Sequence, residues 1–78
     1  RNLQLAFDAM NKGGNAACIL NAANEVVVDA FLKDKVGFLQ MSDILADTLQ
    51  KCTFVKRPSL EDYIASDAEA RRIATDKI

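Results

Sequence analysis

The stretch from Ala16 to Leu32 runs without a glycine or proline and dictates most of what this chain can become. Ile19, Ala22, Ala23, Val26, Val27, Ala30 and Phe31 spread apolar surface around most of a helical circumference. Val26-Val27-Val28 is β-branched and lowers the local helix propensity. A strand is nevertheless excluded, because the flanking alanines with Asn24 and Glu25 break any period of two, and no turn residue bounds the run. A helix this apolar on several sides belongs at the centre of a helical domain. Its narrow polar stripe is Asn21, Glu25 and Asp29, extended by Lys33. The Asp29–Lys33 spacing predicts a surface pair worth a few tenths of a kcal/mol.

The neighbouring segments read as partners for that helix. Leu3, Ala6, Phe7 and Met10 recur at helical spacing between Asn2 and Lys12, and Gly13-Gly14 stops the pattern. Asn15 then stands in an N-cap position, its side-chain oxygen placed to accept a free backbone N–H. Asp34 to Gly37 ends the central helix, and Val36 and Phe38 are expected to return to the core from an extended connection. A third helix is predicted from about Met41 to Lys51 with Ile44, Leu45, Thr48 and Leu49 inward; Gln40 is a poor cap for it, and Ser42 a good one that leaves a shorter helix. Pro58 keeps Arg57 out of the helical conformation, so residues 52–58 are expected to be irregular. Ser59 caps a fourth helix, with Glu61 and Asp62 at the positive end of its dipole. Ser66-Asp67-Ala68-Glu69 reads as a second capping box, which predicts a break near Ser66 and a short last helix ending close to Lys77. The fold class is therefore all-α, a small four-helix arrangement with short connections and a split last helix, forming one domain over residues 1–78. The predicted core is Phe7, Met10, Ile19, Val26, Val27, Phe31, Phe38, Leu45, Leu49 and Ile64.

Composition limits the chemistry. Ten Lys and Arg against eleven Asp and Glu leave no basic field for nucleic acid or an anionic membrane. No apolar run approaches the length of a membrane span, and no signal peptide opens the chain. Histidine is absent, and with it the commonest general base and metal ligand. Cys18 and Cys52 have neither the spacing of a zinc site nor a secretory context, so both are expected reduced in a cytosolic protein. A first residue other than Met fits a domain cut from something longer.

The chemically suggestive residues reduce to a few. Gly13-Gly14 lacks any phosphate-loop pattern and no strand precedes it, so a structural turn is expected. Asn21 and Asn24 are locally unfavourable inside a helix, which implies solvent contact, a ligand, or hydrogen bonds tying the helix to adjoining backbone; the last is favoured over a ligand. The pairs Asp43/Asp47 and Glu25/Asp29 lie one turn apart, but too few oxygens gather for a hard cation, and solvated faces are expected. Lys51, Lys56 and Arg57 form a modest basic cluster on a surface or interdomain rim. No serine or cysteine has a histidine to activate it.

Leu20-Asn21-Ala22-Ala23-Asn24-Glu25-Val26, then Val28, Ala30-Phe31-Leu32 and Gly37-Phe38-Leu39, resembles the C-terminal domain of the 1-deoxy-D-xylulose 5-phosphate reductoisomerase family. Leu3-Gln4-Leu5-Ala6 before the glycine turn fits the same register, as does Asp67-Ala68-Glu69-Ala70-Arg71. Gln40 departs from the pattern, where an acidic or other good cap would precede the third helix. The resemblance implies a parent enzyme that rearranges 1-deoxy-D-xylulose 5-phosphate and reduces the product with NADPH. A divalent cation (Mg or Mn) takes part, and the product is 2-C-methyl-D-erythritol 4-phosphate, in the non-mevalonate isoprenoid pathway. It also implies a cytoplasmic homodimer in which this helical domain packs against catalytic and NADPH-binding domains of the same polypeptide. No residue here matches the family's catalytic, cofactor-binding or metal motifs, so none is assigned to those roles. The fragment itself is expected to be inactive and to bind neither cofactor, and its role to be mechanical. An autonomous helical interaction module is the competing reading. For the supporting role, an exposed apolar patch is expected around the first helix, because Leu3 and Leu5 cannot both point into one small core; Leu5 is the residue placed outward.

Overall fold

Glycines, a left-handed aspartate and one proline set the helix ends. In the computed structural model, which describes residues 2–78, the chain forms α1 (Asn2–Lys12), α2 (Ala16–Leu32), α3 (Phe38–Lys51) and α4 (Leu60–Asp76). The described residues contain no strand. Gly13 and Gly14 both take positive φ, +73° and +56°, and turn the chain between α1 and α2. At the far end of α2, Asp34 adopts φ 59°. Lys35 N–H bonds the Ala30 carbonyl at 2.9 Å and Asp34 N–H bonds that of Phe31 at 3.0 Å. This is a Schellman closure with aspartate in the position glycine usually holds.

The long α2 is the axis of the domain: α1, α3 and α4 all pack on it, while α1 and α4 do not meet among the described residues. Its buried side carries Ala16, Ile19, Ala22, Ala23, Val27 and Ala30. Four of those six are alanines, facing Ala70 and Ala74 of α4, both fully buried. Short side chains on both helices let the backbones approach closely, and the volume is filled instead by Ile19, Val27, Ile44 and Leu45. One buried cluster joins Ala23, Val27, Met41, Ile44, Leu45 and Ala74; a second joins Ile19, Ala22, Cys52 and Ala70.

Three expectations need correction. First, α3 begins at Phe38 rather than Met41. Gly37 takes an extended conformation as N-cap, and Gln40 Oε1 accepts the Gly37 N–H at 2.7 Å. Gln40 closes the helix end from its third residue, with no side chain required at the cap itself. Second, α4 is one continuous helix through Ser66. Its start is the box at Ser59, where Ser59 Oγ accepts from Asp62 N–H at 3.2 Å and Asp62 Oδ2 accepts from Ser59 N–H at 2.9 Å. The inner serine and glutamate that mimic a second box are engaged elsewhere: Ser66 Oγ with Asn15 and Glu69 Oε1 with the Thr53 N–H at 2.7 Å.

Third, the predicted core was too generous with large side chains. Ile19, Val27 and Leu45 are fully buried; Val26 and Leu49 are half-buried against the two clusters. Phe7, Met10, Phe38 and Ile64 lie exposed, and Phe31 sits at the margin. On α1 the inward side is Ala9 with Leu5, so Phe7 and Met10 point away. Val36 does reach the core, whereas Phe38, at the start of α3, stands at the surface edge-on to Phe31, ring centroids 6.2 Å apart. On α4 the inward line is Ser66, Ala70 and Ala74, which leaves Ile64 outside.

Candidate functional site

The Asn15 side chain makes three hydrogen bonds, and its role differs from the expected one. It precedes α2 but makes no side-chain cap bond. Fully buried, it donates from Nδ2 to the Thr53 carbonyl at 2.9 Å and to Ser66 Oγ at 2.7 Å. Its Oδ1 accepts the Val55 N–H at 2.9 Å, and its own N–H bonds the Val55 carbonyl at 3.0 Å. One amide thereby satisfies the irregular 52–58 segment and pins it to the middle of α4. Gly14 permits this approach: a Cβ there would meet the Val55 oxygen at 2.3 Å. At Gly14 the turn is closed by the backbone of residues 55–56, while the space beside Gly13 is open.

The carboxylates are likewise engaged separately. Glu25 pairs with Arg71, which also binds Asp67 at 2.8 Å; together they hold the Arg71 pKa above its ordinary value. Asp29 meets Lys33 at 3.0 Å, as the spacing predicted. Asp47 accepts Lys77 at 3.3 Å, and Lys51 is held below its ordinary pKa first by that neighbouring lysine. The described residues gather no group of three or more His, Cys, Asp or Glu side chains fit to hold a metal ion. Both cysteines are free thiols; burial pushes Cys52 up to about 11, and Cys18 is raised as well, again first by burial.

Outside these bonds the fold leaves exposed apolar surface and, on α2, the exposed amides of Asn21 and Asn24. Leu3, Phe7 and Met10 form one stripe along α1, 71, 53 and 70 % exposed. The patch expected on α1 is therefore present but made of other residues: Leu5 turns inward against the main cluster and is no part of it. Beside the stripe, a groove of about 590 Å³ runs between α1 and α2. Ala6, Ala9 and Met10 line one side, Ala17 and Leu20 the other, with Leu45 between. Asn21 and Asn24 also line it. Both are exposed, and neither side chain finds a hydrogen-bond partner among the described residues, so of the alternatives the structure shows solvent contact rather than ties to adjoining backbone. A second apolar stripe, Leu60, Tyr63 and Ile64, lies on the first turns of α4. No helix among the described residues is long and apolar enough to cross a membrane.

Comparison with known proteins accounts for a domain with this surface. Residues 1–73 match the family model described as DXP reductoisomerase C-terminal domain. The chain is 60 % identical over 74 residues to the 1-deoxy-D-xylulose 5-phosphate reductoisomerase of Phocaeicola vulgatus, a match covering 95 % of this chain and 19 % of that protein. It is 58 % identical over all 78 residues to the Bacteroides thetaiotaomicron reductoisomerase, covering 20 % of it. The fold superposes with a TM-score of 0.87 on the Zymomonas mobilis reductoisomerase solved in complex with NADPH, at 43 % identity, covering 95 % of this chain and 20 % of that one. This chain thus spans about a fifth of the length of its curated relatives. It belongs to the DXP reductoisomerase C-terminal domain family.

Proposed function

We propose that this chain is the non-catalytic supporting domain of a cytoplasmic 1-deoxy-D-xylulose 5-phosphate reductoisomerase. The whole enzyme, a homodimer, rearranges that sugar phosphate and reduces it with NADPH to 2-C-methyl-D-erythritol 4-phosphate in the non-mevalonate isoprenoid pathway, with a divalent cation. The single observation that carries the reading is the 60 % identity to a reductoisomerase five times its length. The division of labour within the chain supports the mechanical role. Its buried polar groups brace the fold, as Asn15 does, and its exposed surface carries apolar stripes suited to packing.

Two observations support assigning neither cofactor to this chain. No three potential ligand side chains converge on a cation position among the described residues, and at Gly14 the glycine turn is closed by Val55. No step of the reaction is therefore placed on this chain. Its contribution is to hold the walls of a neighbouring active site, where a displacement of about 1 Å costs on the order of a hundredfold in rate.

The test is Phe7→Asp in the full-length enzyme. The expected result is a reduced kcat with the KM for NADPH unchanged, because an exposed α1 side chain sets domain position without touching the nucleotide. An unchanged kcat would count against the supporting role; a raised KM for NADPH alone would place α1 at the cofactor.

A further inference from the structure

No charged residue lines the α1–α2 groove, unlike two neighbouring clefts. The cleft lined by Leu5 and Phe54 has Asp8 and Lys12 among its lining residues, and that by Val26 and Ile78 has Asp29, Lys35 and Arg71. The α1–α2 groove is lined instead by three alanines, Met10, Leu20 and Leu45, with the amides of Asn21 and Asn24. Those amides lie three residues apart on α2, one turn along the same face. Both side chains are exposed and make no hydrogen bond among the described residues, so their donors and acceptors are open to an incoming group. A carboxamide presents a donor and an acceptor side by side, the complement of a peptide group. Two such groups beside an uncharged groove match an extended main chain with an apolar side chain seated below it.

We propose that this groove is the docking site for a segment of the same polypeptide that precedes this domain, held by its main-chain N–H and C=O groups to Asn21 and Asn24 and by an apolar side chain between Ala9 and Leu20. The inference rests on the reading of the chain as one domain of a longer reductoisomerase. Continuity selects the occupant. Met10 borders the groove and also ends the exposed stripe that leads back through Phe7 and Leu3 to the start of α1. In a C-terminal domain family, the rest of the polypeptide joins at that end of α1. The stripe on α4 has neither flanking amides nor continuity with that junction.

Full-length enzyme carrying the photo-cross-linker p-benzoylphenylalanine at position 17 tests the placement, using a mixture of isotopically light and heavy chains. The expected product is an intrachain cross-link to a peptide preceding this domain. An interchain cross-link would make a second copy the occupant, and no cross-link would leave the groove empty; both overturn the proposal. Activity separates this failure from failure of the supporting role. Ala17 is exposed at the second residue of α2, where a glutamate is favoured by the helix dipole, so Ala17→Glu blocks the groove without unfolding the domain. It should lower kcat roughly tenfold or more, whereas Ile64→Glu on the α4 stripe changes it less than about twofold. Loss with Ile64→Glu and none with Ala17→Glu overturns the groove but leaves the supporting role. No loss with either, and no cross-link, overturns both.

Discussion

Asn15 Nδ2 donates to Ser66 Oγ at 2.7 Å across 51 residues of sequence, joining the turn after α1 to the midpoint of α4. The same amide holds Thr53 and Val55, so removing it leaves several buried groups without partners at once. Asn15→Ala should cost about 2–4 kcal/mol, and Ser66→Ala about 1 kcal/mol. Urea melts of both single variants and the double variant should give a coupling energy of roughly 1 kcal/mol. Strict additivity would mean that the two side chains act independently.

The two glycines of the turn should respond unequally to alanine. At Gly13 a Cβ meets nothing within 4 Å, so Gly13→Ala carries only the left-handed backbone penalty, about 1 kcal/mol. At Gly14 the same penalty is joined by a collision with the Val55 carbonyl and the Lys56 Cα, 2.3 and 3.1 Å away. Gly14→Ala should therefore destabilise by more than about 2 kcal/mol. Equal midpoints for the two variants in thermal melts would remove the close approach of residues 55–56 to the turn.

Cys52 gives the domain an alkaline limit. Burial, reinforced by Glu69, raises its pKa to about 11, against 9.0 for a free thiol. The folded state thus keeps a proton that the unfolded chain releases. The resulting stability is complete below pH 9 and is lost as pH rises toward 11. Cys52→Ala should show a flatter dependence across that window than the parent chain, measured as urea midpoints at each pH. Parallel curves would mean that the thiol titrates alike in both states.

The helix count and the bounds of α1 and α2 were legible because the punctuation is local: Gly13-Gly14 admits only a turn, and residues 16–32 admit only a helix. What escaped the sequence depends on contacts between distant segments. Ser66 and Glu69 have the spacing of a capping box, and only the packing of residues 53–55 beside α4 reveals that both side chains point there and leave the helix unbroken. Asn15 looked like a local cap for the same reason; the double glycine before it was the signal that backbone approaches closely at this turn. On α1, side-chain size misled. The large residues Phe7 and Met10 face outward because α2 is met by Ala9, so the stripe that looked like core is surface. Asn21, Glu25, Asp29 and Lys33 were correctly read as a polar stripe, yet the groove beside it required α1 to be in place. Family membership was legible from the Asn21–Val26 run and its flanks, and the comparisons agree.

Removing the domain from the full-length enzyme decides the supporting role. NADPH oxidation with 1-deoxy-D-xylulose 5-phosphate is measured for the intact enzyme, for the enzyme lacking the stretch that corresponds to residues 1–78, and for the 78-residue chain alone. The truncated enzyme should lose roughly tenfold or more in kcat while binding NADPH with unchanged affinity, and the 78-residue chain should oxidise none. Full kcat without the domain, or turnover by the 78 residues alone, would contradict the reading.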